Sequence, residues 1–224
     1  MSLEILQNAG AYGTHSLTVM CVSGDKALSL YRVPNLRFTG RSVYTNLPVG
    51  GAFRGYGAPQ GYFPLESFMD ELATELGRDR IEYRKEYAIR EGDNPSMAKA
   101  LGEGREGKEQ TIRSHSLFAC IEEGKRLIDW GAPRPKEGIV KRGVGMACAM
   151  QGSAIAGIDM AAANLKMNED GSFNLQTGAT DIGTGSDTMV AQIVAETLHV
   201  PVDDIIVYAC DTDLTPFDKG AYAS

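Results

Sequence analysis

The stretch PVGGAFRGYGAPQG, at residues 48–61, contains five glycines, two prolines and two aromatic residues around one arginine, Arg54. Glycine lets the backbone approach a ligand closely and adopt positive φ angles. Pro59 stands where the first turn of a helix accepts proline, and the free amides of that turn would face back toward the loop. The stretch therefore predicts an anion-binding loop that leads into a helix.

Arg54 has two interpretations. It can pair with a phosphate or carboxylate of a ligand, or it can be a structural arginine that donates to loop carbonyls. The glycines on both sides of it, Gly50, Gly51, Gly55 and Gly57, favour the ligand.

Helical periodicity follows the loop directly. Apolar residues recur at intervals of three and four, and Gly77 closes this first helix. Asp79 is expected to cap a second helix, and Ser114 or Ser116 a third. A fourth helical pattern lies in the second half of the chain. The predicted helices cover residues 60–76, 80–91, 114–130 and 189–198.

Strand patterns occur on both sides of these helices. Residues 16–22 and 27–33 predict a hairpin with a turn at 23–26. Residues 1–3 are expected to precede the fold, and residues 42–46 to be extended. In the second half, a hairpin and two further strands are expected. These later strands are predicted at residues 143–150, 158–167, 173–177 and 205–210.

A second glycine turn, GTGS at residues 183–186, separates the later hairpin from the last helix. On its own, this turn is typical of a simple strand-to-helix connection. Four aspartates lie near it, but their spacing fits no standard calcium loop, so a solvated acidic surface is expected. These aspartates are Asp181, Asp187, Asp211 and Asp213.

Composition excludes several classes of protein. The net charge of −7 argues against nucleic acid as a partner, because phosphate backbones attract an excess of lysine and arginine. No apolar run reaches the length of a membrane span.

The four cysteines are far apart, which predicts reduced thiols in the cytoplasm and no iron–sulfur cluster in this chain. His15, His115 and His199 are isolated, so we expect structural roles for them.

Four segments together resemble one family, and they are residues 8–15, 45–60, 178–185 and 211–221. They are similar to segments of the molybdenum-binding subunit in the xanthine dehydrogenase and aldehyde oxidase family. The resemblance extends over nearly the whole chain, in order and at comparable spacing. It is greatest to the bacterial xanthine (purine) dehydrogenase large subunits.

The resemblance implies an α+β fold with two molybdopterin-binding subdomains, each built of mixed sheet and helices. Residues 94–113 are poor in large apolar groups and rich in glycine, lysine and glutamate, so we expect a linker there. The two domains would then be residues 1–93 and 114–224. In the family, the general-base glutamate lies later, so we expect it beyond Ser224 and no catalytic residue in this chain. The chain would be an internal piece of a larger subunit, inactive alone and without molybdenum.

The resemblance also implies roles for individual residues. In the family, the Ala-Phe-Arg-Gly loop contacts the molybdenum end of the cofactor, and the later glycine turn contacts its pterin. Many relatives have glutamine at the position of Thr184, whose hydroxyl reaches less far. The metal is held through the pterin dithiolene, so no protein metal ligand is expected. The implied cofactor contacts are Gly51, Ala52, Phe53, Arg54, Gly55, Gly183, Thr184, Gly185 and Ser186. The implied substrate pocket contains Tyr56, Tyr222 and Ala223.

The implied reaction is hydroxylation of an electron-poor carbon of a purine or related heterocycle, with oxygen derived from water. The cofactor would be molybdopterin, in bacteria often as the cytosine dinucleotide. Iron–sulfur and FAD subunits or domains would be the partners, and open sheet edges predict pairing with another copy. No arginine lies between Tyr12 and Tyr31, where animal xanthine oxidases orient the substrate. Nicotinate, an aldehyde or another aromatic heterocycle is therefore the alternative substrate. A non-catalytic cofactor-delivery or assembly protein is the alternative from another class.

Overall fold

The computed structural model describes residues 1–95, 97–102, 106–135, 138–152 and 160–221. Helices and mixed sheets alternate along it, which confirms the predicted α+β class. The chain divides into two units, Met1–Gln151 and Gly152–Ser224. The first unit contains β1 (Ser2–Gly10), α1 (Ser16–Ser29), β2 (Arg37–Tyr44), α2 (Ala58–Glu75), α3 (Arg80–Tyr87), α4 (Ala98–Leu101) and α5 (Leu117–Leu127). The second contains β3 (Ala163–Met167), β4 (Phe173–Thr177), α6 (Ser186–Leu198), a short 3₁₀ turn (Val202–Asp204) and β5 (Ile205–Ala209).

The first unit begins with two parallel strands joined by a helix. β1 pairs with β2 from Ser2 opposite Arg37 to Gly10 opposite Tyr44. Parallel neighbours need a crossover, and α1 provides it. The helix packs closely on the strands. This is evident at Gly24, where a Cβ would lie only 2.5 Å from the Phe38 ring.

The predicted hairpin at residues 16–33 is wrong, because residues 16–29 form α1. Eleven of the fourteen residues of α1 are buried. A helix buried on most sides lacks a polar face, so its periodicity does not distinguish it from a buried strand. The expectation for residues 1–3 is also wrong, because Ser2 begins β1. β2 starts at Arg37, five residues before the predicted extended segment at 42–46.

The helices after the loop start close to the residues at which they were predicted to start. The Asp79 carboxylate caps α3 by accepting the amides of Ile81 and Glu82 at 2.9 and 3.0 Å. α3 ends at Tyr87 and not at residue 91, because the chain then pairs with the segment after α1. There the Ile89 amide donates to the Leu30 carbonyl at 2.9 Å.

The third predicted helix is α5, which ends at Leu127, three residues before the predicted end at Trp130. Ser116 immediately precedes it but makes no side-chain cap. The predicted linker at 94–113 lies inside the first unit, and its described part includes α4. The assignment of 1–93 and 114–224 to separate domains stays a prediction.

The predicted strand at 143–150 is wrong, because these residues pair with no strand in the described chain. Their backbone bonds instead to two side chains on α2. The Tyr62 hydroxyl donates to the Met150 carbonyl at 2.7 Å and accepts the Met150 amide at 2.9 Å. One turn further along, the Glu66 carboxylate accepts the Cys148 amide at 2.8 Å. Tyr62 and Glu66 therefore take the place of a neighbouring strand.

A buried ion pair stands at the centre of the first unit. Arg84 is 0% exposed and Glu66 is 6% exposed. The Arg84 Nε donates to Glu66 at 2.7 Å, and its Nη1 donates to Asp70 at 2.7 Å. The Tyr31 hydroxyl donates to the other Glu66 oxygen at 2.5 Å. Burial, followed by the Glu66 charge, raises the pKa of Tyr31 far above its ordinary value. Burial likewise raises the pKa of the Cys148 thiol to about 11.

The second unit is a three-stranded sheet with one helix. β3 and β4 form the predicted hairpin, and β4 pairs in parallel with β5 across α6. Its buried core contains Leu175, Ala191, Ala195 and Ile205. The prediction that β5 is a buried strand is wrong, because only Ile205 is buried. The other side chains of β5 alternate between exposed and half-buried, since one face of the sheet is open. Of the predicted strand at 158–167, residues 158 and 159 lie outside the described residues, and β3 starts at Ala163.

In the part of the chain that the structure describes, no helix combines the length and the apolar character needed to cross a membrane.

The buried ion pair generates a stability prediction. Arg84→Met should destabilise the first unit by about 3–5 kcal/mol, because it leaves the Glu66 carboxylate buried without its partner. Arg80→Met is the matched control, since Arg80 lies on the same helix and contacts the same Asp70 at 3.5 Å, but is exposed. It should cost less than about 1 kcal/mol. Urea unfolding followed by the fluorescence of Trp130, the single tryptophan, measures both. Equal losses of unfolding free energy in the two variants would show that the buried ion pair contributes no more to stability than the exposed one.

Candidate functional site

The glycine loop lies at one edge of the β1–β2 sheet. The carboxyl ends of parallel strands meet at the same edge, and ligands commonly bind there in α/β structures. The Thr45 amide donates to the Gly10 carbonyl at 3.1 Å, where both strands end. The Gly50 amide donates to the Ala9 carbonyl at 3.2 Å. The loop is thus held at the carboxyl edge and leads from there into α2.

Three consecutive residues of the loop have positive φ angles. Gly55 has φ +95°, Tyr56 +34° and Gly57 +87°. A Cβ on Gly57 would lie 2.3 Å from the Val19 carbonyl oxygen, so only glycine fits against α1. The Ser23 hydroxyl donates to the Gly57 carbonyl at 2.7 Å. The loop glycines therefore allow both the turn and the close contact with α1.

Arg54 is exposed at the tip of this loop. Its guanidinium makes no hydrogen bond or ion pair to any residue within the described ranges. The alternative of a structural arginine bonded to loop carbonyls therefore has no support in these ranges. Ala52 and Phe53 are exposed beside it, and a Cβ on Gly51 would meet no described atom within 4 Å. The predicted contacts at residues 51–54 thus face open space together.

Tyr56 differs from these neighbours because it is half-buried. Its hydroxyl lies 2.8 Å from Nδ1 of His15, the residue that precedes α1. The sequence signalled no link between these positions, because they are 41 residues apart and the helical nature of α1 was not recognised. Tyr222 and Ala223, the other predicted pocket residues, lie outside the described residues.

The second glycine turn lies at the carboxyl edge of the parallel β4–β5 pair. Its three amides converge on one carboxylate. Asp181 Oδ1 accepts from Gly183, Thr184 and Gly185 at 2.8, 2.9 and 3.2 Å. The amide of Gly183, followed by the other amides of the turn, lowers the pKa of Asp181 below its ordinary value. This turn is therefore an anion-binding nest, and an internal carboxylate sits in it.

Of the four aspartates predicted to form a solvated acidic surface, Asp181 and Asp213 are exposed, and Asp187 and Asp211 are half-buried. Asp181 binds the nest, and Asp211 accepts the amides of Asp213 and Leu214 at 2.8 and 3.1 Å. The motif Asp-x-Gly-x-Gly was the available signal for Asp181. In the described residues, no group of three or more histidine, cysteine, aspartate or glutamate side chains is placed to hold a metal ion.

The start of α6 also has two buried polar atoms without a hydrogen-bond partner among the described residues, Ser186 Oγ and Asp187 Oδ1. At the same edge, a cavity of about 320 Å³ lies between the ends of β4 and β5. Its lining includes Gly178, Thr180, Cys210 and Phe217. The second unit thus combines a nest, a spare hydroxyl and an open cavity.

The sequence was compared with known families and proteins. Sequence models of the molybdopterin cofactor-binding domain match residues 1–88 and residues 123–224. The chain belongs to the molybdopterin cofactor-binding domain family. Over its whole length, the chain is 43% identical to the putative xanthine dehydrogenase molybdenum-binding subunit XdhA of Escherichia coli (strain K12). It is 39% identical, also over its whole length, to the probable hypoxanthine oxidase XdhD of that organism. The chain spans 29% and 24% of the lengths of these two relatives.

Solved structures show the same fold. The molybdopterin-binding chain is similar to the aldehyde oxidoreductase from Desulfovibrio gigas, with a TM-score of 0.74 and 28% identity. That match covers 99% of this chain and 24% of the other. Quinoline 2-oxidoreductase from Pseudomonas putida 86 matches with a TM-score of 0.74 at 21% identity, over 99% of this chain and 29% of the other. At that identity the likeness concerns the fold alone.

Each glycine turn, taken by itself, carries groups that fit part of a molybdopterin. Such a group carries a phosphate and a flat pterin, and it needs a cation, directed donors and close approach of the backbone. Arg54 provides the cation and Ser186 Oγ a donor without a partner. A Cβ on Gly51, Gly183 or Gly185 would meet no described atom within 4 Å, so the space in front of them is open. The amides of the nest are engaged by Asp181, which a cofactor would have to share or displace.

The nest generates a pH prediction. A carboxylate whose folded pKa is lowered stabilises the fold above its unfolded pKa, about 3.9, and this stabilisation is lost as the pH falls through the folded pKa. Asp181→Asn should therefore lower the thermal midpoint near pH 7, and the difference from wild type should shrink below about pH 4. Circular dichroism measures the midpoints. Asp213→Asn is the control, because Asp213 is exposed like Asp181 but its carboxylate accepts no hydrogen bond from the described residues. If the difference in thermal midpoint between Asp181→Asn and the wild type did not change with pH, the stabilising role of the Asp181 carboxylate in the nest would be refuted.

Proposed function

We propose that the chain is part of a molybdenum hydroxylase that hydroxylates an electron-poor carbon of a purine or related heterocycle, with oxygen derived from water. The observation that carries the proposal is Arg54, an exposed cation with no partner in the described ranges, on a glycine loop of a molybdopterin-binding chain. The names of the relatives XdhA and XdhD support a purine as substrate.

In this proposal, the residues of the chain bind and orient the cofactor. Arg54 pairs with an anionic part of it, and residues 51–55 lie against its metal end. The nest and the Ser186 hydroxyl contact the pterin. When bound, molybdopterin carries the molybdenum that supplies the two-electron redox chemistry. Tyr56, with Tyr222 and Ala223, lines the substrate pocket. The general-base glutamate comes from another part of the subunit, beyond Ser224.

The partners in this proposal are iron–sulfur and FAD subunits or domains, which take up the electrons. The word subunit in the name of XdhA supports this arrangement. We place the protein in the cytoplasm, which the thiols of Cys120, Cys148 and Cys210 support. The cytosine dinucleotide is the proposed form of the cofactor.

An aldehyde is the second candidate substrate. No arginine lies between Tyr12 and Tyr31, and the lysine of α1, Lys26, pairs with the adjacent Asp25 at 2.9 Å. The likeness to an aldehyde oxidoreductase at 28% identity supports this candidate.

The full subunit, purified with its partners, tests the proposal by assays on hypoxanthine, xanthine, nicotinate and an aldehyde. We expect turnover of a purine. Turnover of the aldehyde alone would establish the second candidate. An enzyme with a full content of molybdenum but no turnover of any of these substrates would refute the proposed function.

Arg54 gives the sharpest test of the cofactor contact. Arg54→Ala in the full enzyme should lower pterin and molybdenum content, and should reduce turnover roughly 10- to 100-fold, as expected for loss of a hydrogen-bonded charge. Arg54→Lys keeps the charge but not the fork of donors, so we expect an intermediate loss. Arg41→Ala, an exposed arginine on β2, is the matched control. Wild-type pterin content and turnover in Arg54→Ala would assign Arg54 a purely structural role.

A further inference from the structure

Three side chains, two in the turn before α1 and one in α1 itself, hold the glycine loop. Thr14 Oγ1 donates to the Gly50 carbonyl at 2.5 Å, and Ser23 Oγ donates to the Gly57 carbonyl at 2.7 Å. These two contacts fix the backbone of the loop near both of its ends. The third contact, from His15 to Tyr56, is of a different kind because it joins two side chains.

The geometry of the third contact is well defined. His15 Nδ1 lies 2.8 Å from the Tyr56 hydroxyl oxygen. The two rings meet edge to face, with centroids 5.8 Å apart and planes at 85°. Both residues are half-buried, so the bond is partly shielded from water. Such a bond between neutral side chains contributes about 1 kcal/mol.

Tyr56 needs support from its surroundings. Its φ of +34° is unusual for a residue with a side chain, and such a conformation persists only where contacts determine it. The glycines on either side allow the backbone turn, but they cannot fix the direction of the phenol ring. His15 contacts the end of that ring, so it can fix that direction.

We propose that His15 is a positioning residue that fixes the Tyr56 side chain at the candidate site. Because His15 binds the Tyr56 hydroxyl, we expect Tyr56 to contact a substrate mainly through its ring. A flat aromatic substrate suits such a contact, through stacking. The kinetic consequence rests on the proposed function, whereas the contact itself does not.

Nuclear magnetic resonance tests the contact independently of activity. In the chain labelled with ¹⁵N-histidine, Tyr56→Phe should change the Nδ1 signal of His15 and leave those of His115 and His199 unchanged. Phenylalanine keeps the ring and removes only the hydroxyl. An unchanged His15 signal would overturn the inference.

Kinetics of the full enzyme test the consequence. His15→Leu and Tyr56→Phe should each lower kcat/KM about fivefold, the effect of one such hydrogen bond. The double variant should lie within about twofold of either single variant, because both remove the same bond. His15→Asn should restore most of the loss, since asparagine has a hydrogen-bonding atom near the position of Nδ1. His115→Leu is the matched control, because His115 also meets an aromatic ring edge to face, on Phe118.

The outcomes separate the alternatives. A loss in Tyr56→Phe alone would show that the hydroxyl contacts substrate directly, and it would overturn the inference. So would wild-type kinetics in His15→Leu. A loss that His15→Asn does not restore, with a thermal midpoint lowered equally in both histidine variants, would indicate a merely structural histidine. If the wild-type enzyme turns over no tested substrate, the proposed function fails, and the ¹⁵N signal still decides whether the contact exists.

Discussion

The buried carboxylate of Glu66 is the interaction on which the first unit depends. It accepts from Arg84 on α3, from Tyr31 after α1 and from the backbone at Cys148. Glu66 itself lies on α2, whose first turn follows the glycine loop. One carboxylate therefore holds α2 against α3, against the segment after α1 and against residues 143–150. Because α2 begins directly after the glycine loop, Glu66 also links that loop to the core of the first unit.

The two units share one arrangement of strands, helix and glycine turn. Each has a parallel strand pair with a helical crossover and a glycine turn at the carboxyl edge. The two glycine turns differ in the charged group that lies at each of them. The first turn presents the cation of Arg54, whereas the second binds the carboxylate of Asp181. The internal carboxylate demonstrates that the second turn accepts anions, which is the property that a cofactor phosphate requires.

The sequence predicted those features that local chemistry determines. The capping of α3 by Asp79, the glycine stop of α2 and the later hairpin depend on neighbours in the chain, and they were predicted. Helix α1 was predicted as a hairpin because it is buried on most sides and has no polar face. Residues 143–150 were predicted as a strand because no local signal shows that Tyr62 and Glu66 replace a strand neighbour. The contact of His15 with Tyr56 depends on α1, so it could not be predicted without that helix.

The central claim is that the glycine loop of the first unit binds a molybdopterin. A crystal structure of the full subunit with its cofactor tests it most directly. The account predicts the Arg54 guanidinium within about 3.2 Å of a cofactor atom, with the loop at residues 50–57 in the conformation described above. A cofactor bound at a distance from this loop would contradict the account.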